Sequence, residues 1–539
     1  MDERYIAALD LGTAKISMTV AQVDGNDVQV IYYHETPSEG IRNSFVFNPQ
    51  KVAGPLKAAI ARAEEELRIK IRQAVVNLPR FEVRQETASA SLERTDTDSV
   101  ITSEEINYLK SNAIESYPLN DPSKEVMYGV VAQSFSADEY LNQLEADIEG
   151  MVSDTLEGNF KVYIGRKRNS DNVDRVMNLV GVAVAKKYFL PDVTAKAVLT
   201  PEERENGVAL IEIGAGATSV TIYHKSILRH YSSIPFGGQT VTNDIQIECG
   251  ISNQLAENIK LAYGVCCPDK LLTLKDKIIQ INMEESGLCK QVSVKYISEI
   301  ITARMDEIVD ACLYKILESG FADALRNGVV ITGGGAEIAN LASLIKEKSG
   351  YNVRLGFPIK RFSYAGCSEV MKKTAVSSIG MILAAKENNW INCLDEPPVR
   401  KVEEPVAVPE PVVEAADPEL ENAQIGLESA QTDSVGTEPA YEEPQETVRK
   451  EETAPEAAVE VVEQPSAPSG WIQNVPDPEP VQETREETVK QEAAPQETKE
   501  KTPKKRFKIT WGKPFEKFVG GITEGVMKAI NNGYDGMEG

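Results

Sequence analysis

One pattern occurs twice in this chain. The segments YIAALDLGTAKISMTVAQV (residues 5–23) and VALIEIGAGATSVTIYHKS (208–226) share one grammar: a buried strand, an acidic residue, a glycine-containing turn and a second strand. The acids, Asp10 and Glu212, lie about two hundred residues apart. A strand–turn–strand unit cannot cover its own apolar face, so two such units imply a duplicated α/β domain with one cleft between its halves.

The segments between the repeats fit that plan. Tyr5–Leu9, Ile16–Val23 and Val28–Tyr33 are short β-branched or alternating runs separated by turns, and they predict a three-strand meander. A helix is expected over Gln50–Lys70, with Leu56, Ile60, Ala63 and Leu67 on one stripe, followed by a buried strand at Gln73–Leu78. From about 82 to 165 the texture changes. A helix at Ser103–Tyr117, with Ser103 as its N-cap, and strands at Val126–Gln133 and Phe160–Ile164 predict a small α+β insertion. A helix at about 171–187 leads to a second meander, Val208–Ile213, Thr218–Tyr223 and Ile227–Tyr231. Helices at Ser252–Ala262 and Ile297–Ser319, a strand at Gly328–Ile331, and helices at Glu337–Lys348 and Ser377–Lys386 complete the body.

Charge separates that body from the rest of the chain. The 539 residues carry a net charge of −26, of which 395–500 hold −21, 501–539 hold +4 and 1–394 hold −9. A mildly acidic body lacks the basic face that nucleic acid requires, so no nucleic-acid partner is expected. MDERYIAALDLG has no apolar core of a signal peptide, and no apolar run approaches the ~18 residues that span a bilayer. The seven cysteines are irregularly spaced and form neither a disulfide framework nor a CxxC metal pattern. Cys266–Cys267 admits a redox reading beside the plainer one of free thiols in a reducing compartment.

Three glycine-rich turns can carry chemistry. In Asp10–Leu11–Gly12–Thr13–Ala14–Lys15, Gly12 permits a tight bend, backbone N–H groups can face phosphate oxygens, and Lys15 adds positive charge. Asp10 can hold Mg²⁺ through water, because that ion prefers oxygen ligands and keeps part of its hydration shell. Alone, this turn reads better as a plain hairpin than as a phosphate loop. Glu212–Ile213–Gly214–Ala215–Gly216–Ala217–Thr218 repeats the device, with Gly214 and Gly216 freeing the backbone to approach a ligand. Thr332–Gly333–Gly334–Gly335–Ala336 follows a buried strand and is expected to open onto a helix, a ready anion and nucleotide site. Three such turns, each at a strand's C-terminal end, outweigh a merely structural role.

On these residues the chain resembles the actin/Hsp70/sugar-kinase ATPase superfamily and, within it, the FtsA family of bacterial cell-division proteins, over about 1–390. Asp10–Lys15 looks like the first phosphate loop, Glu212–Ser219 like the second, and Gly333–Ala336 like the adenosine loop. Ile234–Pro235–Phe236–Gly237–Gly238, followed by Val241–Thr242–Asn243–Asp244–Ile245, resembles the segment after the second meander in that family. Ala256–Glu257–Asn258–Ile259–Lys260 resembles the AExxK helix, whose Glu and Lys touch ribose and adenine.

The resemblance implies ATP and Mg²⁺ as ligands. Asp10, Gly12, Thr13, Lys15, Gly214, Gly216, Thr218, Glu257, Lys260, Gly333, Gly334 and Gly335 would bind the nucleotide. Asp10 and Glu212 would hold the metal through water, with Glu212 as the candidate catalytic acid. The family's second loop usually begins with Asp and reads GGGT. Here Glu212 is one methylene longer, Ala217 lacks a hydroxyl, and Ser219 stands at the later Asp position. Hydrolysis depends on tight placement of water and metal, so weak or absent ATPase activity is expected while binding survives.

The C-terminal quarter reads differently. Residues 395–500 contain 15 of the 28 prolines and show no sustained period. They are expected to be a disordered acidic linker spanning roughly 60 Å or more, either a solvated spacer or a docking site. Lys501–Lys517 then contains seven basic residues, including Lys504, Lys505 and Arg506. Phe515, Phe518, Val519, Ile522, Val526 and Ile530 share one helical face, Trp511 precedes them, and Pro514 suits the first helical position. The alternatives are a helix packed on the body and one lying on an anionic membrane surface. The long linker and the basic run favour the membrane, at ~1 kcal/mol per basic residue.

The expected layout is therefore a duplicated actin-like (ribonuclease H-like) ATPase fold. Residues 1–81, 166–204 and 366–394 form the first half and 205–365 the second. An inserted subdomain occupies 82–165, the linker 395–503 and the membrane-targeting segment 504–539. The implied role is a cell-division protein that binds ATP, self-assembles into filaments and anchors the FtsZ ring at the inner face of the cytoplasmic membrane. The FtsZ C-terminal peptide would dock roughly between 240 and 330, and other divisome proteins would be further partners. Rivals on the same fold are a small-molecule kinase, an Hsp70-type chaperone, and a rod-shape or pilus-assembly homologue.

Overall fold

A computed structural model describes residues 3–271, 277–283 and 288–394. The linker expected at 395–503 and the amphipathic segment at 504–539, with its membrane-facing residues, lie outside the described residues.

The duplication extends to individual hydrogen bonds. In the first half, Arg4–Leu11, Lys15–Asp24 and Asp27–Pro37 form an antiparallel meander, and Gln73–Leu78 runs parallel beside its first strand. In the second half, Val208–Ile213, Thr218–His224 and Ile227–Ile234 form the meander, and Val329–Thr332 is the parallel neighbour. Asp10 opposes Ser17 and Glu212 opposes Ser219 in the same register. Each turn closes with one equivalent bond, Gly12 N–H to Lys15 C=O and Gly214 N–H to Ala217 C=O, both 3.0 Å. The duplicated α/β plan expected from the repeat is thus the observed one.

Parallel neighbours put the ends of the first strand and of its partner on the same edge, so the loops that follow them converge. Both central strands are buried on two faces, as sheets covered by helices must be. Along Val208–Ile213, Val208 and Leu210 join one apolar cluster, while Ala209, Ile211 and Ile213 join another built on the helix Val294–Glu318.

Three helix expectations need correction. The segment expected to be helical over 171–187 is a helix only at Lys167–Val180, followed by the strand Ala183–Phe189. Gly181, at φ 75°, ends the helix in the left-handed conformation that glycine adopts freely, and the strand then pairs with Gln73–Leu78. The glycine turn at 332–336 opens onto a short 3-10 turn, Gly334–Glu337, and not onto a helix. Asn340 is left-handed at φ 62°, which delays the helix to Leu341–Ser349. The N-cap of Ser103–Glu115 is Thr102 rather than Ser103, because Thr102 stands three residues before Glu105 and completes a reciprocal capping box.

Residues 84–166 build a separate antiparallel sheet in the order Arg84–Glu93, Thr155–Arg166, Glu125–Ala137, Tyr140–Gln143. The strand Arg84–Glu93 escaped the sequence reading, since RQETASASLE has few apolar residues to alternate. Along Thr155–Arg166, Phe160, Val162 and Ile164 face the subdomain's own core with Leu109 and Phe135. Tyr163 points the other way, stacking on Phe189 at 4.9 Å and meeting Tyr231 edge-on. This sheet touches the second half as well: Gln133 donates to Leu228 C=O, Arg229 donates to Gln133 C=O, and Gln85 accepts from Tyr231 N–H, each at 2.9 Å.

Candidate nucleotide cleft

The two acid-bearing turns and the third glycine turn line one cavity of about 110 Å³. A side-chain carbon added to Gly216 would lie 2.6 Å from Thr13 Oγ1, so the two turns touch across the cleft only because this position is glycine. Gly333, at φ +87°, would place such a carbon 2.5 Å from Ile213 C=O, which fixes the third turn against the end of the second meander's first strand. Neighbouring side chains set the first turn. Asn77 Oδ1 accepts the Leu11 N–H at 2.7 Å, and Thr13 Oγ1 accepts the Ser44 N–H at 3.0 Å.

Asp10, Gly12, Thr13, Lys15, Glu212, Gly214, Gly216, Gly333 and Gly334, all singled out from the sequence, line the cavity together. Four others stand behind it. Thr218 donates its hydroxyl to Phe236 C=O at 2.8 Å, and Gly335 packs on Ile213. Glu257 and Lys260 pair at 2.7 Å, and Lys260 also donates to Gly238 C=O at 3.0 Å. Gly238 N–H in turn donates to Gly214 C=O at 2.9 Å, so this pair sits one layer behind the second turn.

The charges are paired in a way no local pattern displays. Lys15 is bonded to Glu35, which also accepts the hydroxyls of Tyr33 at 2.5 Å and Thr374 at 3.0 Å. Burial lowers the Lys15 pKa, and Glu35 offsets only part of that shift. Glu212 Oε1 lies 2.5 Å from Arg80 Nη1 and accepts the Ser377 hydroxyl at 2.9 Å. Lys373 is buried at the cavity wall, 3.1 Å from Glu337. Sequence reasoning missed Arg80, Asn77, Glu35, Ser377 and Lys373. One signal for Arg80 was available: it follows a fully buried strand beside the first repeat, at the edge where ligands of such sheets bind.

Asp10 is the strained member. Its Oδ1 is buried without a hydrogen-bond partner. Burial pushes its pKa up to about 6, against the pull of Arg80 and with a further push from Glu212. A carboxyl raised on folding binds more protons in the folded chain than in the unfolded one. Its contribution is therefore most favourable below its ordinary value near 4 and is lost as pH rises to about 6. Asp10→Asn removes that cost and should stabilise the chain by about 1–3 kcal/mol at pH 7.5, with the gain vanishing below pH 4. Thermal melts across that range check this, and a gain independent of pH would count against it.

Residues 209–380 match the family model described as "Cell division protein FtsA". The FtsA of Neisseria meningitidis serogroup B is 27% identical over 388 residues, covering 71% of this chain and 90% of that protein. The FtsA of Streptococcus pneumoniae serotype 2 is 29% identical, over 66% and 76% of the two chains. The FtsA of Escherichia coli K12 is 24% identical, over 72% and 92%. Among solved structures, the PilM-PilN type IV pilus biogenesis complex superposes with a TM-score of 0.51 at 16% identity, over 71% of this chain and 98% of that one, a likeness of fold. In sequence this chain is similar to the FtsA cell-division proteins, and its fold is actin-like.

Proposed function

We propose that this chain is a cell-division protein that binds ATP in the cleft, assembles into actin-like filaments and holds the FtsZ ring at the cytoplasmic membrane. The observation that carries the nucleotide reading is the contact of Gly216 with Thr13, which brings two equivalent phosphate turns face to face. Lys15, Arg80 and Thr13 offer donors to a triphosphate there, and the base and ribose would extend towards Glu257 and Lys260. Asp10 Oδ1 offers one oxygen that fits a hydrated Mg²⁺. At Glu212 the Oε1 is engaged by Arg80 and Ser377, which leaves Oε2 as the oxygen that can face such an ion. Glu212 is paired with Arg80 and does not stand free as a base, which supports weak or absent hydrolysis.

The membrane role rests on the sequence of 504–539. Among the described residues no helix is long and apolar enough to cross a bilayer. The basic, amphipathic segment suits attachment to an anionic surface, and placing Asp at both Phe518 and Ile522 removes part of its apolar face. Sedimentation of the full chain with anionic liposomes is expected to pellet the unaltered protein. Phe518→Asp/Ile522→Asp, or reversal of Lys504, Lys505 and Arg506, should leave it mostly in the supernatant. Equal pelleting of all three would refute membrane attachment by this segment, and adding FtsZ and ATP to the same assay tests the remaining roles.

A further inference from the structure

The three basic side chains that line the cleft, Lys15, Arg80 and Lys373, are each paired with a carboxylate. With Asp10 added to those partners, Glu35, Glu212 and Glu337, the set holds three cations against four acids. The pairs differ in depth. Arg80 and Glu212 are both buried. The Glu337 side chain is 51% exposed, so water screens it. Glu35 lies between these extremes, with its side chain 30% exposed. It meets the cavity through Lys15 and Thr374, which both line it.

Glu35 Oε1 accepts three donors: Lys15 Nζ, the Tyr33 hydroxyl at 2.5 Å and the Thr374 hydroxyl at 3.0 Å. A neutral amide oxygen would serve the two hydroxyls as well. Of the three partners only Lys15 calls for the negative charge. Burial opposes that charge, but Lys15 and the two hydroxyls outweigh it and hold the Glu35 pKa below its ordinary value. Glu35 is therefore ionised at neutral pH, and the Lys15 charge is balanced before any ligand arrives. Lys372, which acts on both groups, is itself paired with Glu369 at 2.7 Å. An ammonium has three donors, so Lys15 can reach a phosphate without leaving Glu35. The fixed carboxylate then stands close to the phosphates and repels them.

We infer that Glu35 limits how tightly the cleft holds a polyphosphate: it shares Lys15 with the nucleotide and so sets the rate at which bound nucleotide leaves. The inference rests on the nucleotide reading of the cleft and deepens it. A cleft that rarely cleaves ATP empties by release, and a carboxylate competing for the first loop's lysine shortens the bound lifetime. Glu35 acts on the nucleotide through Lys15 and is a positioning residue.

Titration of the full chain with a fluorescent ATP analogue in excess MgCl₂, followed by release of the analogue into a chase of unlabelled ATP, tests it. Glu35→Gln keeps an acceptor for Tyr33 and Thr374 and removes the charge. It should bind about tenfold more tightly and release the analogue more slowly by a similar factor. Adenosine has no phosphate charge to repel, so its inhibition constant as a competitor should stay within about twofold of that for the unaltered chain. A residue that only braces the fold would lose affinity on substitution, or change ATP and adenosine alike. If the unaltered protein binds and Glu35→Gln binds ATP no more tightly, the inference fails and the nucleotide reading stands. An equal gain for adenosine also overturns the inference. No binding to the unaltered chain removes both. Should Glu35→Gln lose its native circular dichroism, Glu35→Ala, which removes the same charge at this half-buried site, is read in its place.

Discussion

Arg80→Met is expected to destabilise the folded chain by about 3–5 kcal/mol, because it leaves Glu212 buried and charged without its partner. Glu212 is only 4% exposed, so little solvent is there to replace the guanidinium. The effect should therefore appear in urea unfolding followed at both halves. Arg80→Met/Glu212→Gln should recover most of the loss, since removing both charges together costs far less than removing one. A single variant as stable as the unaltered chain would show that the pair does not form in the folded protein. Burial is what makes this pair consequential. The exposed pair of Lys372 and Glu369 should contribute under 1 kcal/mol by the same measurement.

Phe160→Ala should cost about 3–5 kcal/mol, and the loss should stay within 84–166. The Phe160 ring is fully buried and meets Phe135 edge-on at 5.9 Å. It lies in an apolar cluster drawn from residues of the insertion alone. Hydrogen exchange should accelerate along Arg84–Glu93, Glu125–Ala137 and Thr155–Arg166 while the cleft keeps its protection. Tyr163 faces the body, and Tyr163→Ala should instead loosen the attachment of the insertion at Phe189 and Tyr231. If Phe160→Ala accelerated exchange equally at the cleft, the insertion would have to share one cooperative unit with the body.

The parts of the site that were legible in the sequence are those whose meaning is local. Gly12 and Gly214 sit two residues after their acids, and the same turn bond closes both loops. A pattern of that kind is set by backbone geometry within a few residues, so it shows in the chain as a repeat. Helix ends were less legible. Gly181 and Asn340 each stop or delay a helix by adopting a left-handed conformation, a choice that glycine and asparagine permit but do not compel. The strand Arg84–Glu93 was hidden for another reason: its one partner strand, Thr155–Arg166, supplies the apolar face that it lacks.

By itself the sequence determined the duplicated α/β plan, the place of the glycine turns and the likeness to FtsA, because each depends on short-range spacing or on segments of continuous pattern. Only the tertiary structure decided how the charges in the cleft are shared. Lys15 meets Glu35, Arg80 meets Glu212, and Ser377 reaches Glu212 from a helix 165 positions further along the chain. Such pairs form where strand edges converge in space. Their partners are chosen by distance and burial, and neither quantity is written in the spacing of residues along the chain.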